Sequence, residues 1–301
     1  MPNHIIAVPN SIELASFIGK KGSENSITFY NRSLEGNVIT ALVPTSIEDK
    51  FYAISEILTI SETIVLSTAG MDKLFGELLV AAKLLEKDVI FTSENADSEI
   101  IRNSGLPNYK VCDKDTLLTT VLSMGKKSST TSVCRIDIDK AFNVKGIGAV
   151  ALGVVISGTV SVHDELWHSS GKKVLVRSLQ SQDIDVKAAG PGTRIGVGLK
   201  NIEPEAIEKG SIIYSLPLSL HKRLKIKMKL AEINKEKLEV GKFYGLGSNF
   251  SYSMAKVEGI SGDEVTFALE KALSVLEGDE CLFIREALPR IFASGKIIEL
   301  L

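Results

Sequence analysis

Val144–Trp167 reads VKGIGAVALGVVISGTVSVHDELW, and Lys172–Ser215 reads KKVLVRSLQSQDIDVKAAGPGTRIGVGLKNIEPEAIEKGSIIYS. Apolar runs here are short and are broken by glycine turns at Ser157-Gly158, Ser170-Gly171 and Pro191-Gly192. Just upstream the period is two: Cys134, Ile136 and Ile138 alternate with Arg135, Asp137 and Asp139, as in a half-buried strand. The same turn chemistry returns at Ser261-Gly262-Asp263 and Glu277-Gly278-Asp279. Regular short strands between glycine turns predict closed β-barrels. About 170 residues is too long for one small barrel, so two are expected, with a break near Tyr214–Leu220.

Before residue 130 the pattern differs. His4–Val8, Thr63–Ser67 and Val89–Thr92 read as short buried strands. Met71, Leu74, Phe75, Leu78, Leu79, Ala82 and Leu85 recur at spacings of three and four, the stripe of an amphipathic helix. Further helices are expected from about Glu48 to Ile60 and from Thr116 to Met124. Strand–helix alternation implies an α/β domain with a mostly parallel sheet. Gly125–Ser132, GKKSSTTS, reads as a linker. The expected architecture is an α/β domain over 1–130, then β-barrels over 131–216 and 217–301.

Composition narrows the function. The chain has 301 residues, 44% hydrophobic and 24% charged, with a formal charge of −2. That balance argues against a general basic coat for nucleic acid. The first 130 residues hold 12 basic and 16 acidic side chains, while 131–215 hold 10 and 9, and 216–301 hold 13 and 12. Cys112, Cys134 and Cys281 lie far apart with no metal spacing, as in reduced thiols of an intracellular protein. MPNHIIAVPN lacks the pattern of a secretory leader, and no run of 18 apolar residues spans a membrane. A cytoplasmic protein with no membrane partner follows as the expectation. His4, His163, His168 and His221 show no metal-ligand spacing, and His163, in a turn, and His221, in a basic run, read as surface histidines. No Gly-x-Ser-x-Gly elbow is present.

The middle segment resembles domain 2 of the elongation factor Tu class of translation factors, most of all that of the selenocysteine-specific elongation factor. The resemblance rests on the glycine-rich first hairpin, the turn Val162-His163-Asp164-Glu165, the block Arg194-Ile195-Gly196-Val197-Gly198-Leu199-Lys200, and Glu205-Ala206-Ile207-Glu208-Lys209-Gly210. FALEKALSVLEGDECLFIRE and RIFASGKII resemble the family's third domain. By position, residues 1–130 are then GTPase-like.

The family's nucleotide chemistry is not there. A P-loop, GxxxxGK[ST], wraps phosphates in backbone N–H groups and holds Mg²⁺ with its hydroxyl. The first strand instead runs into Pro9-Asn10-Ser11-Ile12-Glu13-Leu14-Ala15. Where the resemblance places Asp-x-x-Gly stands Val43-Pro44-Thr45-Ser46-Ile47, and where it places Asn-Lys-x-Asp stands Thr92-Ser93-Glu94-Asn95. The reading is a pseudo-GTPase with no catalytic residues, no cofactor and no metal. Its expected partners are tRNA or the ribosome, or a translation protein, and no DNA. The alternatives are a divergent GTP-binding factor and a protein scaffold that contacts no RNA.

Two sets of residues are candidate RNA contacts. His221–Leu230 alternates Leu224, Ile226, Met228 and Leu230 with Arg223, Lys225, Lys227 and Lys229. On a strand these cations stand two residues apart, about 7 Å, close to the phosphate repeat along one nucleic-acid strand. The stripe is either an RNA-backbone contact or a solvated face guarding an edge strand. The family holds the aminoacylated 3′ end of tRNA between its GTPase domain and second domain. The matching loop carries Arg177 and Gln180, with Arg177 and Leu179 where aminoacyl-tRNA binders often have an acid and an aromatic. Trp167 reads as barrel packing.

Overall fold

The computed structural model describes residues 3–46, 51–92, 99–124, 131–234 and 236–301. The first domain contains strands β1 (Asn3–Ala7), β2 (Lys20–Glu24), β3 (Ile27–Leu34), β4 (Asn37–Pro44), β5 (Thr63–Ser67), β6 (Asp88–Thr92) and β7 (Tyr109–Cys112). Its helices are α1 (Ile12–Ile18), α2 (Tyr52–Ile60), α3 (Lys73–Leu84), α4 (Glu99–Arg102) and α5 (Leu117–Leu122). The sheet order is β2-β3-β4-β1-β5-β6-β7. Strands β4, β1, β5, β6 and β7 are parallel, while β2–β3 and β3–β4 are antiparallel hairpins.

Alternation along β1 divides the core. Ile6 and Val8 join Leu14, Ile18, Ile39, Val65, Ile90, Leu117 and Val121 on the α1/α5 face. Ile5 and Ala7 turn the other way, towards Ile54, Ile57, Phe75 and Leu78 of α2 and α3. That second cluster continues into Phe250, Leu282, Ile284 and Ile291, close to 200 residues further along the chain. Every residue of α2 from Ala53 to Ile60 is buried, because the helix lies between its own sheet and the last barrel.

The second domain comprises β8 (Arg135–Val144), β9 (Gly148–Ser157), β10 (Val160–Ser161), β11 (Glu165–His168), β12 (Lys173–Ser181), β13 (Ile184–Val186), β14 (Ala188–Ala189), β15 (Arg194–Lys200) and β16 (Ile212–Tyr214). Its main sheet runs β11-β16-β8-β9-β15-β12-β13, and β11 also pairs with β12, which closes the ring. The third domain, β17 (His221–Leu230), β18 (Phe243–Ser248), β19 (Ser251–Ser261), β20 (Glu264–Leu273), β21 (Glu280–Ile284) and β22 (Ile291–Leu300), is a closed barrel. An α/β domain followed by two β-barrels is therefore the architecture, as the strand periods imply.

Three expectations need correction. The hairpins β2–β3–β4 were not legible as strands apart from the end of β4. The helix expected from Glu48 starts at Tyr52 among the described residues, with 47–50 outside them. Strand β17 pairs with both β20 and β22, so its lysines guard no edge; Leu230, at its end, reaches the surface rather than the core. The linker residues 125–130 also lie outside the described residues. Among the described residues, no helix is long and apolar enough to cross a membrane.

Candidate functional site

Three cavities lie where the fold places functional groups. The first, of about 580 Å³, sits beyond the carboxyl ends of β1, β5, β6 and β7. Strand β1 is flanked by β4 on one side and β5 on the other, a topological switch point where open α/β sheets bind ligands. Only Val8, Pro9, Asn10 and Ser11 separate β1 from α1. Asn10 Nδ2 donates to Ser67 O at 2.8 Å and its Oδ1 accepts from Ser67 N at 3.0 Å, which staples the loop to the end of β5. Ser11 Oγ accepts from Leu14 N and caps the helix. The walls carry Glu13, Asp113 and Asp115 against the single lysine Lys114, which is engaged with Glu13 at 3.0 Å. Three carboxylates thus stand here against one cation that is already paired. Between α1 and β2 stands only Gly19, where a Cβ would come within 2.7 Å of the Asn31 backbone. No loop exists there to be ordered by a γ-phosphate. Of Thr92-Ser93-Glu94-Asn95, only Thr92 is described.

The second cavity, of about 460 Å³, separates β2 from the second domain. Gln180 lines it, with Nε2 donating to Asp185 Oδ1 at 2.9 Å. Arg177 is exposed at the barrel rim and donates to Ile147 O at 2.9 Å; it does not line the cleft. Arg194 crosses between the domains. Its Nη2 reaches Asp139 Oδ2 at 2.6 Å and Ser23 Oγ at 3.0 Å, and its guanidinium lies 3.8 Å from the Phe29 ring centroid.

The third cavity, of about 510 Å³, is bounded by all three domains. Tyr52 of α2 and Tyr252 of β19 form a tilted pair with centroids 5.1 Å apart. Lys209 Nζ bonds Glu56 Oε2 at 2.5 Å and Ser26 Oγ at 2.6 Å, and stands 5.8 Å from the Tyr52 centroid. Lys271 pairs with Glu208 at 2.8 Å. His168 is buried, as is His4 at the start of β1. Ser170 N donates to His168 Nδ1, so the neutral ring carries its proton on Nε2. That Nε2 has no partner among the described residues.

Burial sets two titrations in this cavity. Desolvation pushes Glu56 up to about 7, opposed by Lys209 and reinforced by Asp139. Desolvation pulls His168 down to about 4, with the Lys172 charge acting in the same direction. Folded Glu56 keeps its proton where an unfolded glutamate, near 4.5, has lost it. Its contribution is therefore full at low pH and is lost as pH rises towards 7. His168 acts oppositely, with stability lost as pH falls from 6.5 towards 4. Urea titrations of the wild type and Glu56→Gln should show the wild type losing ground to the variant between pH 4.5 and 7.5. A wild type that gains on the variant over that range would mean that the Lys209 ion pair outweighs desolvation.

The other sequence candidates form a row on the outer wall of the third barrel. Arg223 pairs with Glu258 at 2.9 Å, Lys225 with Glu299 at 2.5 Å, Lys227 with Asp263 at 3.5 Å and Lys229 with Glu86 at 3.0 Å. Every cation of the stripe thus faces a carboxylate; none of them lines the two cavities just described, and Lys229 lines a separate cavity between α3 and the end of β17. The junction residues Tyr52, Glu56, His168, Tyr252 and Lys271 carried no local signal, because they come from four separate elements, α2, β11, β19 and β20; Lys209 lies in the Glu205–Gly210 block, but its partners across the junction were not legible.

The architecture is a switch-point α/β domain docked on two barrels. Residues 148–214 match the family model of elongation factor Tu domain 2. Beyond that segment the chain is similar to elongation factors of the Tu class, selenocysteine-specific elongation factors among them. It is 29% identical over 252 residues to the selenocysteine-specific elongation factor of Methanocaldococcus jannaschii, covering 74% of this chain and 54% of that one. An uncharacterized protein of the same organism is 25% identical over 290 residues, 93% of this chain and 94% of that one. The elongation factor SelB of Methanococcus maripaludis, solved with the GTP analogue GppNHp, superimposes with a TM-score of 0.81 at 22% identity, covering 100% of this chain and 79% of that one. The chain spans about half the length of the M. jannaschii elongation factor it matches and about a third of the Haemophilus influenzae one.

Proposed function

We propose that this protein is a pseudo-GTPase of translation that holds tRNA or ribosome-associated RNA without binding or hydrolysing GTP. The observation that carries the reading is a contrast between two cavities of one molecule. The place of the nucleotide is stapled by Asn10 and lined by carboxylates. The three-domain junction stays open and offers two tyrosine rings beside Lys209 and Lys271. Rings provide stacking surfaces for bases and lysines provide phosphate contacts. The kinship with elongation factors gives the reading its biological setting, and the closed barrels need no nucleotide to hold their shape.

The surface pairs of Lys271 and of the β17 stripe stand at the solvent boundary, where ion pairs are weak. Phosphates can therefore replace their carboxylate partners at small cost. Purified protein should retard tRNA on a native gel, and the affinity should fall as salt rises. Tyr252→Ala should weaken binding about tenfold or more, from the loss of about 1–3 kcal/mol of stacking. Replacing Lys225, Lys227 and Lys229 by glutamate tests the stripe separately. No retardation of tRNA or ribosomal RNA at low salt would sink the RNA reading.

A further inference from the structure

A fourth cavity, of about 460 Å³, lies between the first and third domains. Helices α3 and α4 supply one wall, and the chain from Lys229 to Ile233 supplies the other. Two ion pairs cross between the domains here, Lys83 to Glu232 at 2.9 Å and Lys229 to Glu86 at 3.0 Å. Small-molecule sites favour domain interfaces and hold roughly 300–1,000 Å³.

The walls are apolar and only half covered. Ile100 is 52% exposed, Leu230 39% and Ile233 53%, and all three line this one cavity. Exposed apolar side chains scattered singly need no explanation, whereas a group around one hollow marks a binding surface. The helix wall shows a second feature. Gly76, Leu79, Val80 and Lys83 recur at i, i+3, i+4 and i+7, so one face of α3 lines the cavity. Gly76 lies inside the helix and has no positive φ. A Cβ built there meets no atom within 4 Å. Neither its conformation nor its neighbours call for glycine, and glycine inside a helix weakens it. What the missing side chain provides is room for a guest to approach the α3 backbone.

The charges narrow the class of guest. Lys83 and Lys229 line the cavity, and each already has its carboxylate, Glu232 and Glu86. The balance is zero, so a charged guest would have to break a pair and strand one of its members. A protein partner is disfavoured on size, since three half-exposed side chains fall short of the roughly 800 Å² per partner of a stable interface. We propose that this cavity binds an uncharged, mostly apolar small molecule whose single polar group meets Asn103 at the wall. The cavity shares no lining residue with the three-domain junction, so this proposal does not rest on the RNA reading.

The test is a fluorescence titration of the full chain with N-phenyl-1-naphthylamine, an uncharged two-ring-system probe with one N–H. Saturable binding at one site per chain is expected. Gly76→Leu puts a side chain into the open space and should weaken the probe at least tenfold. Its melting temperature should not fall, because leucine favours a helix where glycine does not. Ile233→Glu, at an exposed position, should also cost at least tenfold. The sulfonated analogue 8-anilino-1-naphthalenesulfonate should bind at least tenfold more weakly than the parent probe, having no free cation to meet. The proposal is overturned if the uncharged probe shows no saturable binding, if both variants bind it as tightly as the wild type, or if the sulfonate binds more tightly. Sedimentation that finds a dimer dissolved by Ile233→Glu would also overturn it and assign the face to a second copy of the chain.

Discussion

Methionine in place of Arg135 should cost the folded state about 3–5 kcal/mol, the loss expected when one member of a buried ionic network is removed. Arg135 opens β8, and its guanidinium is 6% exposed. Its Nε and Nη2 donate to Asp137 at 2.6 and 2.9 Å, and its other contacts go to Asp279 of the third domain through both Nη atoms. Asn249 adds a donor to Asp137 at 2.6 Å. Burial alone drives the Asp137 carboxyl upward, and Arg135 opposes that rise. Without the arginine, two buried carboxylates face each other with no cation. They must then take up protons or admit water, and the second and third domains lose their buried ionic tie, leaving the exposed Lys271–Glu208 pair. The deficit measured by urea denaturation should shrink as pH falls towards 4, because protonation relieves the uncompensated charge. A loss below about 1 kcal/mol that does not vary with pH would show that the network does not hold the barrels together.

Alanine at Gly247 should destabilise the chain by about 1–3 kcal/mol, the range for overpacking a well-filled core. Gly247 lies in β18 where the barrel meets α2. A Cβ built there falls 1.9 Å from Ser55 Oγ and 2.5 Å from Ser55 Cβ. The hydroxyl cannot simply swing away without giving up its bond to Tyr52 O at 2.6 Å, and the Cβ is fixed by the helix. Helix and strand must therefore separate, which strains the apolar cluster shared by the first and third domains. Combining Gly247→Ala with Ser55→Gly removes the clash, so the double variant should be more stable than the sum of the two single losses. Additive losses would mean that the domains accommodate the methyl by sliding.

The barrels were legible because their strands alternate and their turns are marked by glycine. Gly158, Gly171, Gly192, Gly262 and Gly278 all adopt positive φ, as their turns require. The stripe Arg223–Lys229 was placed on a strand face for the same reason. Its neutralisation was not legible, since the partners Glu258, Glu299, Asp263 and Glu86 depend on barrel register and on domain docking. Strand β2, KKGSE, was missed because it is an exposed edge with no apolar alternation. Helix α2 was expected as a helix, but nothing in the sequence showed that its polar Glu56 is buried against Lys209, 153 residues away. His168 shows the same limit: an isolated histidine in a sequence says nothing of its burial. The absent nucleotide motifs were legible as sequence, and the structure adds the stapled loop and acidic wall that occupy their place.

The account turns on whether the first domain still binds nucleotide. A calorimetric titration of GTP, and separately of GDP, with Mg²⁺ into the full chain tests this directly. The stapled β1–α1 loop and the carboxylates at the switch point predict no saturable binding up to millimolar nucleotide. Micromolar, Mg²⁺-dependent binding of either nucleotide would contradict the pseudo-GTPase reading.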